Sequence, residues 1–284
     1  MSSSLHGPEP DGPAPLPPSP SLPQALRPAP GPREIALVVG LAFVIYLVLG
    51  FEAEVVFPGS RLGVVMVQAL AFALPSLAAI RLFYLDRRVV LPFGVPAPRY
   101  VAAAVFGTIG LNHLMTLYGA WQERVWPQPE SLRAYFDALL RADGGLDFTW
   151  LLLAIAIVPA VCEELLFRGF VQSGLVRQAV RPWTGVVATA VVFALFHLDP
   201  WRFLLVIPLG IFLGWLRETS GSLWPAILAH ALNNTLTITF TSAGLVASDC
   251  APGSAATALL AAVLVTLALC AGRRRPGRPA DRML

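Results

Sequence analysis

Long apolar stretches recur along most of this 284-residue chain, and they constrain its fold more than any other feature. The sequence is 56% hydrophobic and only 13% charged, whereas about 25% of the residues of a soluble domain are charged. A membrane-spanning α-helix needs about 20 apolar residues. The sequence therefore predicts an all-α, polytopic membrane bundle of about eight transmembrane helices. Their approximate positions are residues 35–51, 62–84, 98–119, 148–178, 184–198, 201–217, 222–245 and 254–272.

The composition of the intervening stretches divides the chain into five regions. Residues 1–33 contain 11 prolines and are predicted to be a disordered tail. Residues 34–119 hold the N-terminal transmembrane helices. Residues 120–147 form a long loop, in which PESLRAYFDALLRA predicts a short amphipathic helix at the membrane surface. Residues 148–245 form a core that carries most of the intramembrane polar residues, and residues 246–284 hold the last helix and an arginine-rich tail.

The placement of arginine predicts how the chain is oriented. All 20 basic residues are arginines, and cytoplasmic loops of membrane proteins carry an excess of basic residues. With a cytoplasmic amino terminus, 14 arginines lie inside and five outside. We therefore expect a multi-pass integral membrane protein with both termini cytoplasmic, and the composition suggests a bacterial inner membrane. The arginines form no basic face or recognition motif, so the expected surroundings are a lipid bilayer and not nucleic acid.

The stretch VCEELLFRGF places Glu163, Glu164 and Arg168 inside an apolar segment. A charged side chain in a bilayer costs about 2.5–3.5 kcal/mol on insertion scales, so it usually has a function or a partner. Glu164 and Arg168 are four residues apart, share a helix face and can form an ion pair. Glu163 lies about 100° around the helix. We expect Glu163 to face a cavity, where it could take a proton from water.

Two later segments carry polar residues with the same four-residue spacing. VVFALFHLDP pairs Phe193 with His197, and LWPAILAHALNN pairs His230 with Asn234. Glu164 and His197 are about equally far from the turn between their helices, so they should lie at similar depth on neighbouring helices.

A further histidine, His113, follows Asn112 in the third segment. We interpret His113 as a hydrogen-bonded contact between helices.

The three motifs together resemble those of a known family. EELLFR matches an EExxxR pattern, FALFH an FxxxH pattern and HALNN an HxxxN pattern, in that order on successive apolar segments. Over about residues 145–240 the chain resembles the CAAX-protease and bacteriocin-processing family (CPBP, or Abi) of intramembrane endopeptidases. The resemblance implies eight core helices around an intramembrane active-site cavity, with the catalytic core at residues 148–245.

The resemblance also implies roles for individual residues. Glu163 would be the general base that activates water, and His197 would orient that water or shuttle a proton. His230 and Asn234 would donate hydrogen bonds to the oxyanion, and Arg168 would hold the second glutamate. The implied catalytic residues are Glu163, Glu164, Arg168, His197, His230 and Asn234, with Phe193 packing beside them.

Two questions about the chemistry stay open from the sequence. His197 and His230 with Glu163 or Glu164 would make a two-histidine, one-carboxylate zinc site. The sequence contains no HExxH motif, and we favour water activation without a metal, with zinc as the alternative cofactor. The Glu164–Arg168 pair has a purely structural interpretation as well.

The expected function is cleavage of a membrane-anchored or lipidated protein or peptide. The alternative is a catalytically silent immunity or regulatory protein of the same fold that binds a peptide or partner. A small transporter that uses the polar residues as a proton path ranks last, because no inverted repeat is visible.

Overall fold

The computed structural model describes residues 26–56, 59–242 and 255–272. All regular structure in these ranges is helical, apart from one isolated bridge between Arg27 and Leu85. The helices are labelled in chain order as α1 Pro32–Val56, α2 Arg61–Leu82, α3 Arg87–Val90, α4 Pro98–Val125, α5 Glu130–Leu139, α6 Gly145–Gln178, α7 Pro182–Leu195, α8 Pro200–Ser220, α9 Trp224–Ser242 and α10 Ala255–Gly272.

The predicted all-α membrane bundle is confirmed, and each of the eight apolar segments coincides with a helix. Among the described residues, α1, α2, α4, α6 and α8 are long and apolar enough to cross a membrane by length and composition. The shorter apolar helices are α7 and the Leu260–Cys270 part of α10. The 19-residue α9 carries His230, Asn233 and Asn234, which lower its hydropathy. The chain is an integral membrane protein.

Helix boundaries follow from proline and capping residues. Pro98, Pro182 and Pro200 begin α4, α7 and α8, where the missing N–H of proline costs no helical hydrogen bond. The Asp199 carboxylate accepts hydrogen bonds from the first backbone N–H groups of α8. Gly221 ends α8 in the left-handed conformation at φ 67°, which glycine adopts without steric cost.

One end of the bundle, the arginine-rich end, is held together by contacts between helix termini. Tyr84 accepts a hydrogen bond from the backbone N–H of Arg27. The N–H of Leu223 donates to the carbonyl of Pro92 at 2.8 Å. The residues before α1, between α2 and α4, and between α8 and α9 therefore meet at this end.

The opposite end gathers the remaining connections. Arg61 forms an ion pair with Asp147. Gln122 Nε2 donates to the carbonyl of Trp201 at 2.9 Å, and the α5 ring of Phe136 lies under Arg202, 3.7 Å from its guanidinium carbon. The short helix α5 is thus packed against the start of α8.

Two regions differ from their predicted extents. Residues 1–25 of the predicted tail lie outside the described part of the chain, whereas Arg27 is bound to Glu34 by two hydrogen bonds. The third apolar segment continues as helix to Val125, which shortens the loop before α5. The polar residues after 119 ended the predicted apolar segment, but they still form helix. Their side chains find partners on neighbouring elements, as Gln122 does at the carbonyl of Trp201.

Candidate active site

Glu164 and Arg168 form a fully buried ion pair on α6. Arg168 Nη1 donates to Glu164 Oε1 at 2.8 Å, and both side chains are 0% exposed. Arg168 Nη2 donates to the carbonyl of Gly210 on α8 at 3.1 Å. The guanidinium carbon also lies 4.3 Å from the ring centre of Phe193 on α7. The pair predicted from the four-residue spacing therefore also joins α6 to α7 and α8.

The close approach of α8 depends on a glycine. A Cβ atom at Gly210 would lie 2.9 Å from Cβ of Ala190 and 3.4 Å from Arg168 Nη2. A larger residue would push α8 away from the guanidinium group, which would lose its carbonyl acceptor.

His230 on α9 links the two glutamates. Its Nδ1 lies 2.9 Å from Glu164 Oε1, and its Nε2 lies 3.8 Å from Glu163 Oε2. Because Glu164 is an ion-pair partner of Arg168, its carboxylate can only accept, so Nδ1–H of His230 is the donor. In the neutral imidazole this assigns the proton to Nδ1 and leaves Nε2 as an acceptor toward Glu163.

Glu163 has surroundings unlike those of its neighbour. Its Oε1 accepts a hydrogen bond from Gln68 Nε2 on α2 at 2.9 Å. The 3.8 Å between its Oε2 and His230 Nε2 exceeds a direct hydrogen bond. A water molecule placed to one side can reach both atoms. The Glu163 side chain is 12% exposed, against 0% for Glu164, so Glu163 is the more accessible carboxylate.

His197 joins this group through Phe193. The His197 Nδ1 atom lies 3.2 Å from the carbonyl of Phe193. The buried Phe193 ring is centred 5.0 Å from the His197 ring and 5.6 Å from the His230 ring, edge-on to each. The packing of Phe193 beside His197 is as predicted, and the same ring contacts the second histidine.

Asn234 is connected to the group less directly. Its Oδ1 accepts from Asn233 Nδ2 at 3.4 Å, and Asn233 Oδ1 accepts from Asn112 Nδ2 on α4 at 3.1 Å. Asn234 lies one turn along α9 from His230. It makes no hydrogen bond to Glu163 or Glu164.

The prediction that His113 forms a hydrogen bond between helices is wrong for its Nε2 atom. This atom is buried without a hydrogen-bond partner among the described residues. The preceding residue, Asn112, makes the hydrogen bonds to α9 instead. Adjacent residues lie about 100° apart on a helix, and the packing of α4 against α9 determined which of the two faces it.

The proposed zinc ligands do not fit the arrangement of the described residues. Within these ranges no group of three or more His, Cys, Asp and Glu side chains is positioned to hold a metal ion. Glu164 Oε1 is bound by Arg168 and by His230 Nδ1. The recorded contacts of His197 are with Phe193 and not with a carboxylate. The reaction proposed below therefore assigns no step to a metal ion.

The sequence-based reasoning missed Gln68. It is the only side chain with hydrogen-bonding groups between Arg61 and Ser76, in a stretch that is otherwise apolar. That isolation was the available signal, because an amide side chain in a membrane helix needs a partner. The partner could not be read from the sequence, since Glu163 is 95 residues away.

A family model matches residues 145–236, and its description is Type II CAAX prenyl endopeptidase Rce1-like. Residues 145–236 form an Rce1-like domain. The domain contains every predicted site residue, from Glu163 to Asn234, while Gln68 and Asn112 lie outside it. The family resemblance stated from the three motifs is confirmed. At the family level, residues 145–236 are similar to the CAAX-type membrane proteases.

No curated protein matches the chain, and no solved structure does.

Proposed function

We propose that this protein is an intramembrane endopeptidase that hydrolyses a peptide bond in a membrane-anchored or lipidated protein or peptide. The observation that carries the proposal is the pairing of Glu163 Oε2 with His230 Nε2 across 3.8 Å in a buried part of the Rce1-like domain. The two atoms lie far enough apart for one water molecule to hydrogen-bond to both. A membrane protein would have little other reason to bury two glutamates, an arginine and a histidine together.

In the proposed reaction Glu163 is the general base. Its Oε2 takes a proton from the bound water while the water oxygen attacks the carbonyl carbon of the substrate. His197 helps to orient the water. The protonated Glu163 then gives its proton to the leaving amine, so that the carboxylate is regenerated at the end of the cycle.

The oxyanion requires hydrogen-bond donors, and the site offers two. Asn234 accepts through Oδ1, which leaves its amide N–H groups as donors. His230 is the second donor in the ring form that carries a proton on Nε2, and it keeps that proton throughout the cycle. Glu164 and Arg168 act as a fixed unit that orients the imidazole.

The test compares membrane proteomes from cells with the wild-type protein, the Glu163→Gln variant or a gene deletion. We expect the Glu163→Gln cells to accumulate the same uncleaved proteins as the deletion cells, although the variant protein is present at normal levels. The matched control is Glu123→Gln, which neutralises an exposed glutamate paired with Arg133 and should leave cleavage unchanged. Normal cleavage in cells with the Glu163→Gln variant would exclude Glu163 as the general base.

The same experiment addresses the second candidate, a silent binding or immunity protein. Such a protein would protect or retain its partner in the Glu163→Gln cells as well as in the wild type, and no new termini would depend on it. The termini that do depend on Glu163 would also show whether the substrates carry a prenyl group.

Water activation without a metal predicts resistance to chelation. Cleavage by the purified protein should continue at an unchanged rate with 1,10-phenanthroline. Loss of cleavage that zinc restores would establish the alternative zinc mechanism.

A further inference from the structure

Gln68 reaches the proposed base from outside the Rce1-like domain. It lies on α2, 8% exposed, and its Nε2 donates to Glu163 Oε1 at 2.9 Å. Another contact between α2 and α6 is hydrophobic: the centre of the Phe72 ring lies 6.0 Å from that of the Phe167 ring on α6. The two helices are therefore packed together next to the hydrogen bond.

The orientation of the Gln68 amide is informative. Its Oε1 is buried and has no hydrogen-bond partner among the described residues. An unpaired buried carbonyl lowers stability, so stability alone does not explain the glutamine. The opposite orientation of the amide would place its oxygen against Glu163 Oε1, where two acceptors would repel each other. The observed orientation is the one that suits an ionised Glu163.

The hydrogen bond fixes the orientation of the Glu163 carboxylate toward His230. A glutamate side chain has three rotatable bonds, and rotation about the last turns the plane of the carboxylate. With Oε1 held by Gln68, Oε2 is the oxygen that lies 3.8 Å from His230 Nε2. Without the amide donor, Glu163 would retain no other recorded hydrogen bond within the described part of the chain.

We propose that Gln68 is a positioning residue that holds Glu163 Oε1, so that Oε2 stays directed toward His230 and the reacting water. This inference rests on the proposed function. It adds α2 to the elements that build the catalytic site.

The first test needs no substrate. Dicyclohexylcarbodiimide, an apolar reagent that modifies protonated carboxyl groups in membranes, is applied to the purified full-length protein, and mass spectrometry follows the modification of Glu163. In Gln68→Met the length of the side chain is kept and the donor is lost. We expect modification about tenfold faster than in the wild type, since a hydrogen bond to a charged group is worth about that factor or more.

The matched control is Gln172→Met. Gln172 is also a buried glutamine, but its Nε2 donates to Gly214 and Glu218 at a different level of α6. The rate of Glu163 modification should not change in this variant. If Gln68→Met does not fold, Gln68→Asn keeps the polarity, is too short to reach Glu163 and should show the same acceleration.

The second test is kinetic and uses a substrate found in the proteome comparison. Gln68→Met should lower kcat about tenfold with KM within about twofold. An unchanged rate of carbodiimide modification in both Gln68 variants would overturn the positioning role. Faster modification in a protein that cleaves nothing would instead overturn the proposed function and leave the contact intact.

Discussion

At the scale of single residues, Glu163 and Glu164 are adjacent in sequence but have opposite surroundings. Glu164 is fully buried and binds both Arg168 and His230 through Oε1, whereas Glu163 accepts one hydrogen bond, from Gln68, and has some exposure. The difference arises because the two side chains leave α6 about 100° apart. One carboxylate therefore serves as an anchor, and the other is available for chemistry.

The anchor makes a prediction about stability. Arg168→Met leaves Glu164 buried without its main cation, and this should lower the free energy of unfolding by about 3–5 kcal/mol. Thermal unfolding of the purified variant in detergent would measure the change. Arg133→Met is the control, because the Arg133–Glu123 pair is about half exposed and should contribute less than about 1 kcal/mol. Equal effects of both substitutions would show that the buried pair is not an anchor.

At the scale of elements, the site depends on the hairpin of α6 and α7. The two helices approach closely at Gly185, where a Cβ atom would lie 2.6 Å from the backbone N and Cα of Val176. This contact sets the position of α7, which carries Phe193 and ends two residues before His197, against α6, which carries both glutamates. The π-helical stretch Leu165–Val171 begins directly after Glu164, and such turns are frequent at functional sites.

The close packing of α6 against α7 predicts that one methyl group added at Gly185 is destabilising. Gly185→Ala should lower the free energy of unfolding by about 1–3 kcal/mol, because backbone atoms cannot move aside as a side chain can. It should also reduce cleavage, since α7 would shift relative to Glu163. Gly40→Ala on α1 is the control, because a Cβ atom there meets nothing within 4 Å and should change stability by less than about 1 kcal/mol. Thermal unfolding and the cleavage assay would separate the two variants.

At the scale of the whole molecule, the arginines separate by end. Nine of the arginines predicted to lie inside are among the described residues, and all nine lie at or near the arginine-rich end. They are Arg27, Arg33, Arg81, Arg87, Arg88, Arg99, Arg177, Arg181 and Arg217. The five counted as outside lie toward the opposite end: Arg61, Arg124, Arg133, Arg141 and Arg202. The fold thus agrees with a single orientation of the bundle, and the cytoplasmic location of the arginine-rich end stays a prediction from the positive-inside rule.

Cysteine labelling would test this orientation. In a background that lacks Cys162, Cys250 and Cys270, we expect Arg87→Cys to be protected from a membrane-impermeant maleimide in intact cells. Arg133→Cys at the opposite end should be labelled, because its parent side chain is 52% exposed. Labelling of the first variant and protection of the second would reverse the predicted orientation.

Local periodicity alone determined much of this protein. The positions of the apolar helices and the Glu164–Arg168 pair follow from patterns within a few residues, because a helix repeats every 3.6 residues whatever surrounds it. The three motifs likewise sufficed for the family, since each spans no more than about six residues.

Only the tertiary structure decided which groups meet. The contact of His230 with Glu164 joins residues 66 apart, and that of Gln68 with Glu163 joins residues 95 apart. The choice of Asn112 over His113 depended on the packing of α4. Such contacts depend on the rotation, tilt and depth of whole helices, which are set by the sum of many packing interactions and leave no short-range pattern in the sequence.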